Sequence, residues 1–153
     1  MIIDDKLMKF VVFQKRTVYE VQQKCLKLGY AEELIDEIVD YLKENDYLND
    51  KRYVEKYIKN IMRLKVSSIY EMKIGLLKKG VLEDDILEYI SSNKEELIDF
   101  EYESAKKSVI KKMRQVNDIE KVKKYLAAKG YSYDSIHEGI DNFNNLADNG
   151  VMD

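Results

Sequence analysis

Lys27-Leu28-Gly29-Tyr30, Lys78-Lys79-Gly80-Val81 and Ala128-Lys129-Gly130-Tyr131 are three versions of one short signal, with glycines 51 and then 50 residues apart. Twelve residues before each glycine stands a side chain suited to open a helix: Thr17, Ser68 and Asp118. Glu20 and Glu71 follow the first two by three residues, the spacing of a capping box, in which side chain and backbone satisfy each other's orphan N–H groups. Lys121 takes that place in the third, which keeps only the cap. Apolar residues hold the same register. Val21, Met72 and Val122 lie eight before the glycine, and Cys25, Leu76 and Leu126 four before. Ile35, Ile86 and Ile136 lie six after, and Val39, Ile90 and Ile140 ten after. Pairs four apart share a helix face, and a glycine just past a helix end supplies the left-handed turn that stops it. The spacing predicts helix, tight glycine turn, helix, three times over.

A further helix precedes each pair. Asn49 to Lys65 carries Tyr53, Tyr57, Ile61 and Leu64 on one stripe, with Asn49 as cap. Phe100 to Arg114 carries Ala105, Val109, Ile110 and Met113, and a shorter run from Asp4 or Asp5 to Gln14 carries Leu7, Phe10 and Val11. The chain therefore reads as all-α, three three-helix repeats of about 50 residues each. Their expected bounds are 1–46, 47–97 and 98–146, with the pattern fading near Asn144 and a frayed tail over 147–153. Stacked units can form an elongated tandem array, although periodicity alone also allows a compact bundle.

Composition agrees with a packed helical protein. The chain has 153 residues, 45% hydrophobic and 36% charged, enough apolar content to exclude a wholly disordered polymer. Proline is absent, so only the glycines interrupt helices. One cysteine and one histidine cannot build a disulfide framework or a structural zinc site. No apolar run approaches a membrane span, and Asp4, Asp5, Lys6 and Lys9 break up any signal-peptide core between Met1 and Phe13. A reduced, cytoplasmic protein is expected. The net charge of −3 conceals alternating blocks: Glu32–Asp46 and Glu83–Glu103 are strongly acidic, while Lys51–Lys65 and Lys106–Lys129 are strongly basic.

The motifs of catalysis are missing. There is no phosphate-binding Gly-x-x-x-x-Gly-Lys-Ser/Thr, no Gly-x-Gly-x-x-Gly, no Gly-x-Ser-x-Gly and no His-Glu-x-x-His. His137 reads as a helix-surface residue and Cys25, which stands where the other repeats have leucine, as a buried one. Glu83-Asp84-Asp85 opens a helix, where carboxylates complement the macrodipole. Neither an enzyme nor a cofactor is expected. Tyrosines such as Tyr30, Tyr53, Tyr57 and Tyr131 read first as packing residues with a polar tip.

Positive charge is the functional signal. The candidate contacts to nucleic acid or an acidic partner are Arg52, Lys56, Lys59 and Arg63 on one helix. On the next basic helix and the helix after it, they are Lys106, Lys107, Lys111, Lys112, Arg114, Lys123 and Lys124. Four arginines against twenty-two lysines favour sequence-independent phosphate contact over bidentate base reading. A helix-turn-helix-like transcription regulator is the alternative reading, disfavoured by the acidic starts of the helices that follow each glycine turn.

The segment Tyr47-Leu48-Asn49-Asp50-Lys51-Arg52-Tyr53-Val54 resembles the Leu-x-Asp-x-Arg-Phe-Ala signature of the RecX family of recombinase regulators. Lys15-Arg16-Thr17-Val18-Tyr19-Glu20-Val21 is similar to that family's Arg-x-x-Ser-x-x-Glu-Leu. Ile74-Gly75-Leu76-Leu77-Lys78-Lys79-Gly80-Val81 is similar to its Glu-Leu-x-x-Lys-Gly-Ile, and Leu126-Ala127-Ala128-Lys129-Gly130-Tyr131-Ser132 to its Leu-x-x-(Arg/Lys)-Gly-(Phe/Tyr)-Ser. The likeness spans roughly residues 5 to 143, in order. It implies structural roles for Leu48, Asp50, Arg52, Tyr53, Gly80, Leu126, Gly130 and Tyr131. It also implies a cytoplasmic, monomeric array of three-helix units that binds RecA and its nucleoprotein filament, together with weak sequence-independent DNA binding. Such a protein modulates, mostly by inhibition, the ATPase, strand-exchange and coprotease activities behind homologous recombination and the SOS damage response.

Overall fold

A helix begins with N–H groups that no residue of the helix can satisfy, and this chain places a hydroxyl or carboxylate at most of those points. In a computed structural model describing residues 3–150, nine helices and no strand are found among the described residues. They are α1 (Asp5–Phe13), α2 (Val18–Lys27), α3 (Glu32–Glu44), α4 (Asp50–Leu64), α5 (Ile69–Lys78), α6 (Glu83–Ser92), α7 (Lys94–Val116), α8 (Ile119–Ala128) and α9 (Tyr133–Asp148). Each expected cap is present. Glu20 N–H donates to the Thr17 hydroxyl at 3.1 Å while Thr17 N–H donates to the Glu20 carboxylate at 3.1 Å. Ser68 and Glu71 repeat the pattern at 3.0 and 3.2 Å. Asp118 accepts from Lys121 N–H, and Asn49 from Arg52 N–H.

Two boundaries differ from the sequence reading. α7 starts at Lys94, six residues before the expected Phe100, because Asn93 alone separates it from α6. Glu95 and Glu96 complement its N-terminal dipole, and Leu97 is buried. α9 continues past Asn144 to Asp148, with Phe143 packed on the core and Leu146 half-buried. Of the expected tail over 147–153, residues 151–153 lie outside the described residues.

The chain divides into two compact units, Met1–Tyr57 with Gly75–Tyr89, and Ile58–Ile74 with Ile90–Asp153. In the first, Leu7, Val11, Val21, Cys25, Ile35, Ile38, Val39, Leu42 and Leu48 form the core. The start of α2 is bound twice to other parts of this unit. The Thr17 hydroxyl, besides capping α2, donates to the Lys79 carbonyl at 2.6 Å, and Val18 N–H donates to the Asp50 carboxylate at 3.0 Å.

In the second unit, Ala105, Val109, Met113, Val122, Leu126, Tyr131, Ile136 and Ile140 form the core. The same joint recurs about 50 residues on: the Ser68 hydroxyl donates to the Lys129 carbonyl at 2.6 Å and Ile69 N–H to the Glu101 carboxylate at 2.9 Å. Gly139 lets α9 approach α7 closely, since a Cβ there would meet Val109 and the Ala105 carbonyl.

The glycine turns are left-handed, as the spacing predicts, with φ of +82° at Gly80 and +87° at Gly130. Both are also covered: a Cβ on Gly80 would strike the Tyr19 ring, and one on Gly130 the Tyr70 ring. Gly29 has the same φ of +87° but open space around it. Gly29→Ala should therefore cost only the left-handed penalty, about 1–2 kcal/mol. Gly80→Ala adds overpacking of about 1–3 kcal/mol. Urea melts that gave the two variants equal losses would count against the covered turn. Ser68→Ala removes a cap and orphans a carbonyl and should cost about 2–3 kcal/mol by the same measurement.

Candidate functional site

The family-signature residues divide among core packing, turn contacts and one helix joint. Leu48 is buried in the first unit's core. Asp50, at the first turn of α4, reaches the Val18 N–H and so caps α2 from outside. Burial pushes the Asp50 carboxyl up; the Val18 N–H opposes that shift and the nearby Asp85 adds to it. Arg52 clasps Asp46 through two bonds of 2.8 and 3.2 Å, holding that carboxyl below its usual range across a turn in which Asp46 has φ +65°. Tyr53 stacks on Tyr57 at 6.2 Å between centroids, and burial raises its hydroxyl to about 12. Leu126 and Tyr131 are core residues of the second unit.

The positive side chains distribute unevenly. Arg52 and Lys56 belong to the first unit, and Lys59, Arg63 and the bases of α7 and α8 to the second. Arg63 leans on the Asn60 amide oxygen at 3.5 Å. Two of the α7 and α8 lysines are neutralised within a helical turn: Lys106 by Glu103 at 3.0 Å and Lys123 by Glu120 at 3.6 Å. Lys107, Lys111, Arg114 and Lys124 are exposed, and no carboxylate among the described residues pairs with them.

Lys111 and Lys112 come together with Lys129, a residue the charge pattern did not single out, around a cleft of ≈ 230 Å³ in the second unit. Ser108, Gln115, Tyr125, Tyr131, Glu71 and Val66 complete its lining. Lys112 Nζ lies 4.2 Å and Lys129 Nζ 5.2 Å from the Tyr125 ring centroid. The Tyr131 hydroxyl, carried out of the core, meets that of Ser108 at 3.3 Å. The first unit has a wider cleft of ≈ 560 Å³ beside Asp50, Asp85, Lys43 and Lys51.

Glu101 is the buried residue that sequence reasoning passed over. It accepts from Ile69 N–H, from Ser132 N–H and from the Ser135 hydroxyl. Its place 51 residues after Asp50 was the signal that could have found it. Cys25 is fully buried, and that burial raises its thiol pKa, which keeps it a poor nucleophile. His137 sits exposed against the Tyr133 ring at 4.3 Å. No group of three metal-ligating side chains, and no helix long and apolar enough to cross a membrane, is found among the described residues.

No family model matches the chain. Among curated proteins it is similar to "Regulatory protein RecX" of Clostridium perfringens, 33% identical over 124 residues, covering 78% of this chain and 58% of that protein. It is likewise similar to the protein of that name from Clostridium botulinum, 34% identical over 133 residues, with 82% and 60% covered. The chain thus spans about three fifths of the length of these relatives. The crystal structure of RecX from Lactobacillus salivarius aligns with a TM-score of 0.76 at 27% identity, covering 92% of this chain and 93% of that one. A second crystal structure, of regulatory protein RecX, aligns with a TM-score of 0.80 at 22% identity and shares the fold.

The joint at Asp50 has a pH signature. A carboxyl whose pKa is raised by folding binds its proton more tightly in the folded chain, so its contribution favours the fold at low pH and is lost as pH rises through the raised value. Asp50→Asn keeps the acceptor for Val18 N–H and removes the titration. Relative to that variant, the parent should lose stability as pH rises above the ordinary aspartate range towards neutral. A gap between the two denaturation midpoints that stays constant across that range would refute the account.

Proposed function

We propose that this chain, which belongs to the RecX family, regulates a RecA recombinase by binding the nucleoprotein filament that RecA forms on single-stranded DNA. On this reading it acts as a regulator rather than an enzyme. It restrains ATP hydrolysis, strand exchange and coprotease activity during DNA repair and the damage response, as a cytoplasmic monomer. Its working parts are three helical repeats, 1–46, 47–97 and 98–146. The joint built once around Thr17 and again around Ser68 supports that reading, because the same hydroxyl-to-carbonyl and N–H-to-carboxylate pair recurs about 50 residues on.

The observation that carries the proposal is the face of α7. Lys107, Lys111 and Arg114 stand exposed with no carboxylate among the described residues to neutralise them, although acidic residues are plentiful elsewhere in the chain. Uncompensated lysines suit a surface dense in phosphate or carboxylate, and they read no base sequence. Such attraction reaches about 8 Å at physiological ionic strength and weakens as salt rises.

Substoichiometric amounts of the protein should lower the ATPase rate of RecA on single-stranded DNA, while the protein alone turns over no ATP. The double reversal Lys107→Glu/Lys111→Glu should weaken association with filaments several-fold in a salt-sensitive way. It should leave the helical spectrum and melting temperature nearly unchanged, since exposed substitutions move stability by about 0.5 kcal/mol or less. Reversal of Glu95 and Glu96, in the acidic first turn of α7, should matter less. An unchanged RecA ATPase would remove the regulatory reading, and unchanged filament affinity in the lysine variant would remove this face from it.

A further inference from the structure

Tyr57 and Gly75 in the first unit correspond, in the repeat register, to Ser108 and Tyr125 in the second. In the first unit the large residue lies on α4 and the small one on α5, and the tyrosine fills the space so fully that a Cβ on Gly75 would overlap the Tyr57 hydroxyl. In the second unit the sizes are exchanged. Ser108 on α7 is small, Tyr125 stands on α8, and the space between becomes the cleft of ≈ 230 Å³. The same fold position is therefore plugged in one unit and open in the other.

The chemistry of the open cleft is cationic and rich in donors. Lys112 and Lys129 hold two like charges against one ring, at 4.2 and 5.2 Å, and Lys111 joins them at the lining. Besides the ring, Lys112 donates to a neutral acceptor, the Gln115 amide oxygen at 3.3 Å. In the first unit Lys79, the counterpart of Lys129, pairs with Glu20 at 4.0 Å. In the second unit Glu71 lines the cleft, but its Oε1 accepts from the Ser68 N–H at 3.2 Å, and one carboxylate against three lysines leaves a surplus of positive charge. The Ser108 and Tyr131 hydroxyls add neutral donors beside the lysines. An anion among these groups would relieve the repulsion between the ammonium groups. A tetrahedral oxyanion, with several acceptor oxygens, uses such a mixed set of donors better than a planar carboxylate does.

We infer that the cleft between α7 and α8 binds a phosphate group of a nucleic-acid backbone through Lys111, Lys112 and Lys129, and that it does so without reading bases. The identity of the phosphate source rests on the filament reading above; the anion chemistry does not.

The test uses the full chain and labelled oligothymidylate at low salt, with no recombinase present, so that failure here is separate from failure of the RecA assay. Lys112→Gln/Lys129→Gln should weaken binding about fivefold or more and flatten the dependence of log affinity on log salt by about 1 to 1.5. Lys106→Gln/Lys123→Gln removes the same charge from lysines already paired with glutamates, and should change both far less. Ser108→Tyr/Tyr125→Gly, which rebuilds the plugged arrangement with every charge kept, should weaken binding like the cleft pair; a melting curve checks that it folds. An oligomer with an uncharged methylphosphonate backbone should bind poorly, and ATP or inorganic phosphate should compete only at concentrations far above those of the oligonucleotide. Equal losses from the two lysine pairs would reduce the effect to net charge and overturn the inference. Undiminished binding of the uncharged backbone, absence of any DNA binding by the parent chain, or preference for free nucleotide over the oligomer would overturn it as well.

Discussion

A hydroxyl can accept one hydrogen bond and donate another, and both compact units depend on that double capacity at one atom each. Thr17 Oγ1 accepts from the first turn of α2 and donates to the carbonyl before Gly80; Ser68 Oγ does the same between α5 and the carbonyl before Gly130. A helix start and a helix end are thereby satisfied together. The glycine turn must come close for this to happen, which is why Tyr19 and Tyr70 lie where a Cβ on Gly80 or Gly130 would otherwise sit. Asp118, the third cap, accepts from Lys121 N–H and so caps α8 in the same way.

The acid that supports each joint is not the same. Glu101 is long enough to take Ile69 N–H with one oxygen and Ser132 and Ser135 with the other, and it is buried by doing so. Asp50 is one methylene shorter, faces Leu82 and Asp85 where the second unit has Ser132 and Ser135, and leaves a wide cleft beside it. One geometry is kept by a closed network in one unit and by a single bond in the other.

Helix positions and caps were legible because they rest on local rules: a hydroxyl or carboxylate before an apolar period, and a glycine after it. Thr17, Ser68, Asp118 and the left-handed glycines all followed from spacing. What spacing could not give was the second bond of each hydroxyl, made to a residue more than 60 positions away. The start of α7 was missed because Lys94-Glu95-Glu96 has no apolar period and is held by its dipole and by Leu97 alone. The charge pattern selected Lys111 and Lys112 but not Lys129, since only the packing of Tyr125 brings that side chain to the other two.

The two compact units do not begin and end where the glycine signal repeats; their borders fall inside α4, α5 and α6. A fragment cut after Asp46 would carry Thr17 and Val18 away from the Lys79 carbonyl and the Asp50 carboxylate that complete them. The segment that repeats in the text of the sequence is therefore not the segment that closes its own hydrogen bonds. Because the Thr17–Lys79 and Ser68–Lys129 bonds overlap along the chain, no single cut between residues 17 and 129 leaves both joints whole.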